Sequence, residues 1–94
     1  MLVAMNEMLG DAKKNKYAIP AFDVSNYEMM NAVLQVCEEE KSPALLMGLG
    51  VDLEGRNMRL IVEMVKSASE FFSIPICFHL DHATSLDIIK RSID

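Results

Sequence analysis

Two imidazoles and a carboxylate fall within four positions, His79-Leu80-Asp81-His82, at the end of the apolar run Ile74-Pro75-Ile76-Cys77-Phe78. Neutral imidazole is the commonest metal-binding side chain, and a carboxylate beside it can take or return a proton at a bound substrate. Metal-assisted proton transfer is one chemistry this grouping could serve. Alternation along a strand puts Asp81 on the side of His79 and turns His82 to the other side. At a strand end the pleat can relax, and both Asp81 and His82 can then face one rim. The opposing reading is a hydrogen-bonded polar cluster that caps the next helix. The spacing leaves both open. His79, two residues before Asp81, reads as a buried or outer hydrogen-bonding partner and not as a direct metal ligand.

Other candidate chemistry is thinner. Asp23 ends a short apolar run and could bond a ligand or cap the following helix with Ser25. Gly48-Leu49-Gly50 invites a phosphate-loop reading, but position 53 is Leu53 where a third glycine would stand, and Asp52 and Glu54 would repel phosphate. The two glycines are expected to be turn residues. Cys37 and Cys77 form no CxxC pair and are expected to be buried, reduced thiols.

The elements that must carry these residues alternate along the chain. Met5, Met8, Leu9 and Ala12 mark one face of a first helix. Tyr17 to Val24 reads as a strand, with Pro20 suggesting a bulge or an edge. Ser25-Asn26-Tyr27-Glu28 fits a capping box opening a helix whose apolar face is Met30, Val33, Leu34 and Cys37. Glu38-Glu39-Glu40-Lys41 closes that helix and reads as a solvated face. Ala44 to Met47 is a second strand, followed by a loop from Val51 to Asn57. Ile61, Met64, Val65, Ala68 and Phe72 give a third helical stripe, and Ile74 to Leu80 a third strand. Thr84 or Ser85 could cap a last helix carrying Leu86, Ile89 and Ile93, with Lys90 and Arg91 favourable near its C-terminal end.

Strict helix–strand alternation implies parallel strands joined by crossovers, an α/β fold. Three parallel strands would leave both outer strands unpaired. A closed eight-strand barrel takes ~250 residues. The expectation is therefore a partial (β/α)8 barrel spanning residues 1–94, about three βα units plus a leading helix.

Composition narrows the partners. Of 94 residues 51% are hydrophobic, so a packed core is expected, and the eight methionines read as adaptable filler. Nine basic against fourteen acidic side chains give a net charge of −5, which disfavours nucleic acid and anionic membrane surfaces. No apolar segment approaches the ~20 residues of a membrane span. The first residues, Met1 to Glu7, lack the basic and apolar regions of a signal peptide, so a cytoplasmic location is expected.

The chain resembles the N-terminal portion of the class II, metal-dependent ketose-bisphosphate aldolases, the fructose- and tagatose-bisphosphate aldolase family. The likeness lies in the opening helix, in Tyr17-Ala18-Ile19-Pro20-Ala21-Phe22, and in the helix beginning Ser25-Asn26-Tyr27-Glu28-Met29. It continues through Glu38-Glu39-Glu40-Lys41-Ser42-Pro43 to His79-Leu80-Asp81-His82. The resemblance implies a (β/α)8 lyase of carbohydrate metabolism (glycolysis in the family at large) that cleaves a ketose bisphosphate reversibly to dihydroxyacetone phosphate and an aldehyde. It implies Zn²⁺ as cofactor, with His82 at a ligand position and Asp81 at the position of the acid/base that handles the C4 hydroxyl proton. It also implies a sugar-phosphate substrate, weaker substrate contact at Asp23, and a homo-oligomer. The pattern has Asn where Asp23 stands and a phosphate-binding Ser near Leu49, so an altered ketose or aldehyde is a further expectation. A non-catalytic partial barrel that self-associates or pairs with another chain is the expectation from a different class.

Overall fold

The computed structural model describes residues 1–93. In chain order it contains α1 (Met5–Asn15), β1 (Ala21–Asp23), α2 (Tyr27–Glu39), β2 (Ala44–Leu49), a 3-10 turn (Gly50–Leu53), α3 (Asn57–Phe71), β3 (Ile76–Asp81) and α4 (Leu86–Ile93). The strands form one parallel sheet in the order β1-β2-β3. The expected alternation is present.

Period-two alternation gives the sheet two apolar faces. Ala44 and Leu46 of β2 and Ile76 of β3 point to one side, where they pack with Met30, Leu34 and Cys37 of α2 and Met58, Ile61 and Val65 of α3. Leu45 and Cys77 point to the other side and meet Met8 of α1. Strands buried on both faces need near-continuous apolar sequence, which is why β2 carries no polar residue. α1 covers only the base of its face. The upper part carries Met47 and Leu49 of β2 with His79 and Asp81 of β3.

Several boundaries differ from the sequence expectation for identifiable reasons. β1 is three residues long, because the chain from Tyr17 to Pro20 forms no ladder and enters the sheet only where the Pro20 carbonyl accepts from the Leu45 N–H at 3.4 Å. Asn26, not Ser25, caps α2: its side-chain oxygen accepts from the Met29 N–H at 2.9 Å, while the Ser25 hydroxyl turns to the Met29 sulfur. The Glu38–Lys41 run is not simply solvated. Lys41 adopts φ 55°, and its N–H and that of Ser42 donate back to the Glu38 and Cys37 carbonyls at 3.2 and 2.8 Å, a Schellman stop.

The Glu38 carboxylate crosses to the α3–β3 connection. It accepts from the Ser73 N–H at 3.0 Å, the Ile74 N–H at 3.2 Å and the Ser73 hydroxyl. On α4 the buried residue is Ile88 at 5% exposure, whereas Leu86 and Ile93 are largely exposed. The helix is therefore rotated from the expected Leu86–Ile89–Ile93 face, with the intervening Ile88 inward.

The first residues act as a short extra strand. The Val3 N–H donates to the Ile76 carbonyl at 2.9 Å and the Ile76 N–H to the Met1 carbonyl at 2.7 Å. The Met1 ammonium donates to the Ser69, Phe72 and Ile74 carbonyls. The end of α3 carries no basic side chain in its last turn, so this ammonium stands where a C-terminal cation is favourable.

Candidate active site at the end of the third strand

Parallel pairing sets which side chains share a row. Asp23 is in register with Met47 and Met47 with His79, one lateral row across β1, β2 and β3. Two residues further along, Leu49 is in register with Asp81. Side chains paired in register point to the same side of a parallel sheet. Asp23, His79 and Asp81 therefore project from the sheet face opposite α2 and α3.

Asp81 is the last residue of β3, and the chain leaves the strand immediately after it. His82 takes φ 51°, in the left-handed region, which breaks the alternation that would have sent its ring to the helix side. The imidazole instead comes back to the carboxylate: His82 Nε2 lies 3.7 Å from Asp81 Oδ2. On the other flank His79 Nε2 lies 3.9 Å from Asp81 Oδ1. Asp81 sits between two imidazoles at ion-contact range but beyond hydrogen-bonding distance. Asp81 is the least exposed of the three side chains, at 26%, against 39% for His79 and 79% for His82. None of the three is sealed in the core.

Helix capping does not account for these residues. Ser85 supplies the cap of α4, its hydroxyl oxygen accepting from the Ile88 N–H at 3.3 Å. Thr84 is not needed for it, and neither is Asp81 nor His82. Asp23 is exposed on β1, and the cap on α2 comes from Asn26.

The same local geometry corrects the reading of the glycines. Gly48 is not a turn residue but lies inside β2, under the Phe78 ring: a Cβ there would stand 2.8 Å from Phe78 Cζ and 2.9 Å from Leu53 Cδ1. Gly50 does open a turn. Leu53, in what reads by sequence as a loop, is 1% exposed and belongs to the main core. A lone leucine among Asp52, Glu54 and Gly55 was the available signal for that anchor.

The donor chemistry suits one arm of a metal site and no more. A catalytic zinc takes about three protein ligands and keeps one position open. Among the described residues no group of three His, Cys, Asp or Glu side chains is arranged to hold an ion. Cys37 and Cys77 are both buried and free, and burial pushes both thiols up from their ordinary value. No helix of the described residues is long and apolar enough to cross a membrane. A cleft of about 330 Å³ between the β1–α2 connection and the start of α3 is lined by Ser25, Asn26, Asp52 and Asn57 but by none of the strand-end residues.

Comparison with known proteins bears on the fold and the family. The sequence matches the profile described as fructose-bisphosphate aldolase class-II over residues 3–94. The fold superimposes on the YdjI aldolase from Escherichia coli K12 with a TM-score of 0.88 and 29% identity, over 99% of this chain and 35% of that one. It also superimposes on a Coccidioides immitis protein assigned as a fructose-1,6-bisphosphate aldolase, with a TM-score of 0.82 and 33% identity, over 93% of this chain and 33% of that one. The chain thus spans about a third of the length of these solved relatives, and its sheet corresponds to the N-terminal part of their TIM barrel. With the match covering nearly all of its length, the chain belongs to the class II fructose-bisphosphate aldolase family.

Proposed function

We propose that this chain supplies the proton-transfer residue and one metal-binding arm of a class II aldolase. The reaction is reversible, metal-dependent cleavage of a ketose bisphosphate to dihydroxyacetone phosphate and an aldehyde. The observation that carries the reading is the position of Asp81, at the open end of β3, with His82 turned back to 3.7 Å from it. Asp81 takes the C4 hydroxyl proton in cleavage and returns it in condensation, as a carboxylate placed beside the reacting oxygen can. His82 offers an exposed imidazole to a divalent ion, with the remaining ligands supplied from outside residues 1–94. A zinc ion bound there supplies Lewis-acid polarisation of the substrate carbonyl. His79 flanks Asp81 on its other side, 3.9 Å from that carboxylate.

The described residues form one arm of a metal site, and residues 1–94 are read as part of a larger (β/α)8 domain, a reading supported by their spanning about a third of the solved relatives. A cytoplasmic homo-oligomer acting on a sugar phosphate is the setting this reading implies. The test is aldol cleavage of a ketose bisphosphate by the full polypeptide that carries these residues. Asp81→Asn is expected to lower kcat by about 10²-fold or more while KM changes little. His82→Ala is expected to abolish tight zinc binding, read by competition with a chelating dye. Unchanged turnover in both variants would end the assignment.

A second reading concerns substrate choice. Asp23 shares a row with His79, and Leu49 pairs with Asp81, so a carboxylate and an apolar side chain flank the candidate acid/base. Neither would welcome a phosphate, which favours a ketose or aldehyde presenting hydroxyls at this part of the rim. A panel of ketose phosphates of differing chain length separates the two, and highest kcat/KM for fructose 1,6-bisphosphate would exclude the altered substrate. A third reading is that β1, whose three residues are all exposed, is an edge that pairs with another copy or another chain. Sedimentation of the 94-residue polypeptide tests it, and a folded monomer at all concentrations counts against it.

A further inference from the structure

We infer that Gly50 is the positioning residue for the Asp81–His82 pair, because its missing side chain lets the turn after β2 press against the His82 backbone and hold it in the left-handed region. The catalytic consequence rests on the function proposed above; the geometric part stands without it.

His82 needs such a support. Left-handed backbone is unfavourable for a residue with a Cβ, and it persists where neighbours enforce it. The His82 ring is a poor enforcer, since its side chain is 79% exposed and its recorded polar approach among the described residues is the 3.7 Å to Asp81. The support comes from the backbone side. A Cβ built on Gly50 would lie 3.0 Å from the His82 carbonyl oxygen, 3.6 Å from Ala83 Cα and 3.6 Å from Ile88 Cδ1.

Both ends of this contact are anchored. Ile88 is 5% exposed and belongs to the main core, and so does Leu53 at the far end of the turn, 1% exposed. Leu49, one residue before Gly50, pairs in register with Asp81, one residue before His82. The turn and the strand end thus flank a contact at which a methyl group would stand tightly against the His82 carbonyl. A side chain at position 50 crowds the His82 carbonyl, which has to give by a few tenths of an ångström, and because that carbonyl and the imidazole share one Cα, a change in φ at His82 turns both together.

The experiment uses the full polypeptide with Gly50→Ala, His82→Gly and the two combined. Gly10→Ala serves as control, since a Cβ there meets nothing within 4 Å. Three readouts are taken: the three-bond HN–Hα coupling of His82, which reports its φ; the urea midpoint; and kcat and KM for aldol cleavage. Gly50→Ala is expected to shift the His82 coupling toward the extended value and to lower kcat about tenfold with KM within about twofold. Gly10→Ala should leave the His82 coupling unchanged. The midpoint lost through Gly50→Ala should be largely restored when residue 82 is also glycine, because a glycine there accepts the displaced backbone.

A folded Gly50→Ala protein with an unchanged His82 coupling overturns the inference. Equal loss of stability with His82 present or replaced overturns it as well. If Gly50→Ala alone does not fold, recovery of folding on adding His82→Gly supports the contact and failure to recover overturns it. Unchanged turnover in Asp81→Asn would sink the proposed function while leaving the coupling result standing.

Discussion

Asp81 and His82 are consecutive residues whose polar side-chain atoms approach to 3.7 Å, although a regular strand would put them on opposite faces of the sheet. The left-handed φ of 51° at His82 is what brings them together. The pair is therefore a product of backbone strain at a strand end, and strain of that kind is held at functional sites by the surrounding structure. This has a stability consequence that can be measured.

His82→Gly should stabilise the protein by roughly 0.5–1 kcal/mol, because glycine visits positive φ without the Cβ penalty that histidine carries. The same variant should lose zinc affinity. Urea denaturation and a metal-competition assay on one preparation check both effects. A destabilised His82→Gly would mean that the ring contributes more to the fold than its exposure indicates.

Glu38 should make stability acid-sensitive. The Ser73 hydroxyl chiefly holds its carboxyl below the ordinary value; desolvation opposes it, and the Ile74 and Ser73 N–H groups and the N-terminal charge add to the lowering. A carboxyl lowered in the folded state contributes stability that is present above the unfolded value of ~4.3 and is lost as pH falls through the folded value. Glu38→Gln should therefore be less stable than the parent at pH 7 and lose less stability below about pH 4. Parallel acid titrations followed by circular dichroism test this, and identical acid profiles would contradict it.

Two glycine replacements should act in opposite directions. Gly48→Ala forces a Cβ to within 2.8 Å of Phe78 Cζ inside the core, and overpacking of that kind costs typically 1–3 kcal/mol. Gly10→Ala falls in the middle of α1 with open space around it, and should gain about 0.5–1 kcal/mol from reduced backbone entropy. Thermal midpoints of the two variants should bracket that of the parent.

The thiols should be slow to react. Cys37 and Cys77 are each 5% exposed, and desolvation raises both above the ordinary thiol value, which leaves little thiolate at neutral pH. Iodoacetamide labelling should track global unfolding, with both sites becoming reactive at the same urea concentration. Rapid labelling of either site in native buffer would show local opening near α2 or β3.

Much of this architecture was legible in the residues alone. Helix–strand alternation, the apolar faces of α2 and α3, and the location of His79, Asp81 and His82 at a strand end all follow from hydrophobic period and composition, which are local properties. What the residues could not reveal depended on distant partners. The Glu38 carboxylate reads as one of several surface charges until the fold brings Ser73 and Ile74 to it. Ile88 rather than Ile89 is buried because it joins the core that α2 and α3 build with the sheet, and no pattern within eight residues encodes that. Gly48 reads as a turn until Phe78 is seen lying over it. Sequence determined which side chains of this protein stand at the tip of β3, since a strand's ends are written in its own composition. Only the tertiary structure decided that His82 turns back toward Asp81, because the force holding that turn comes from a neighbouring strand's loop, more than thirty residues earlier in the chain.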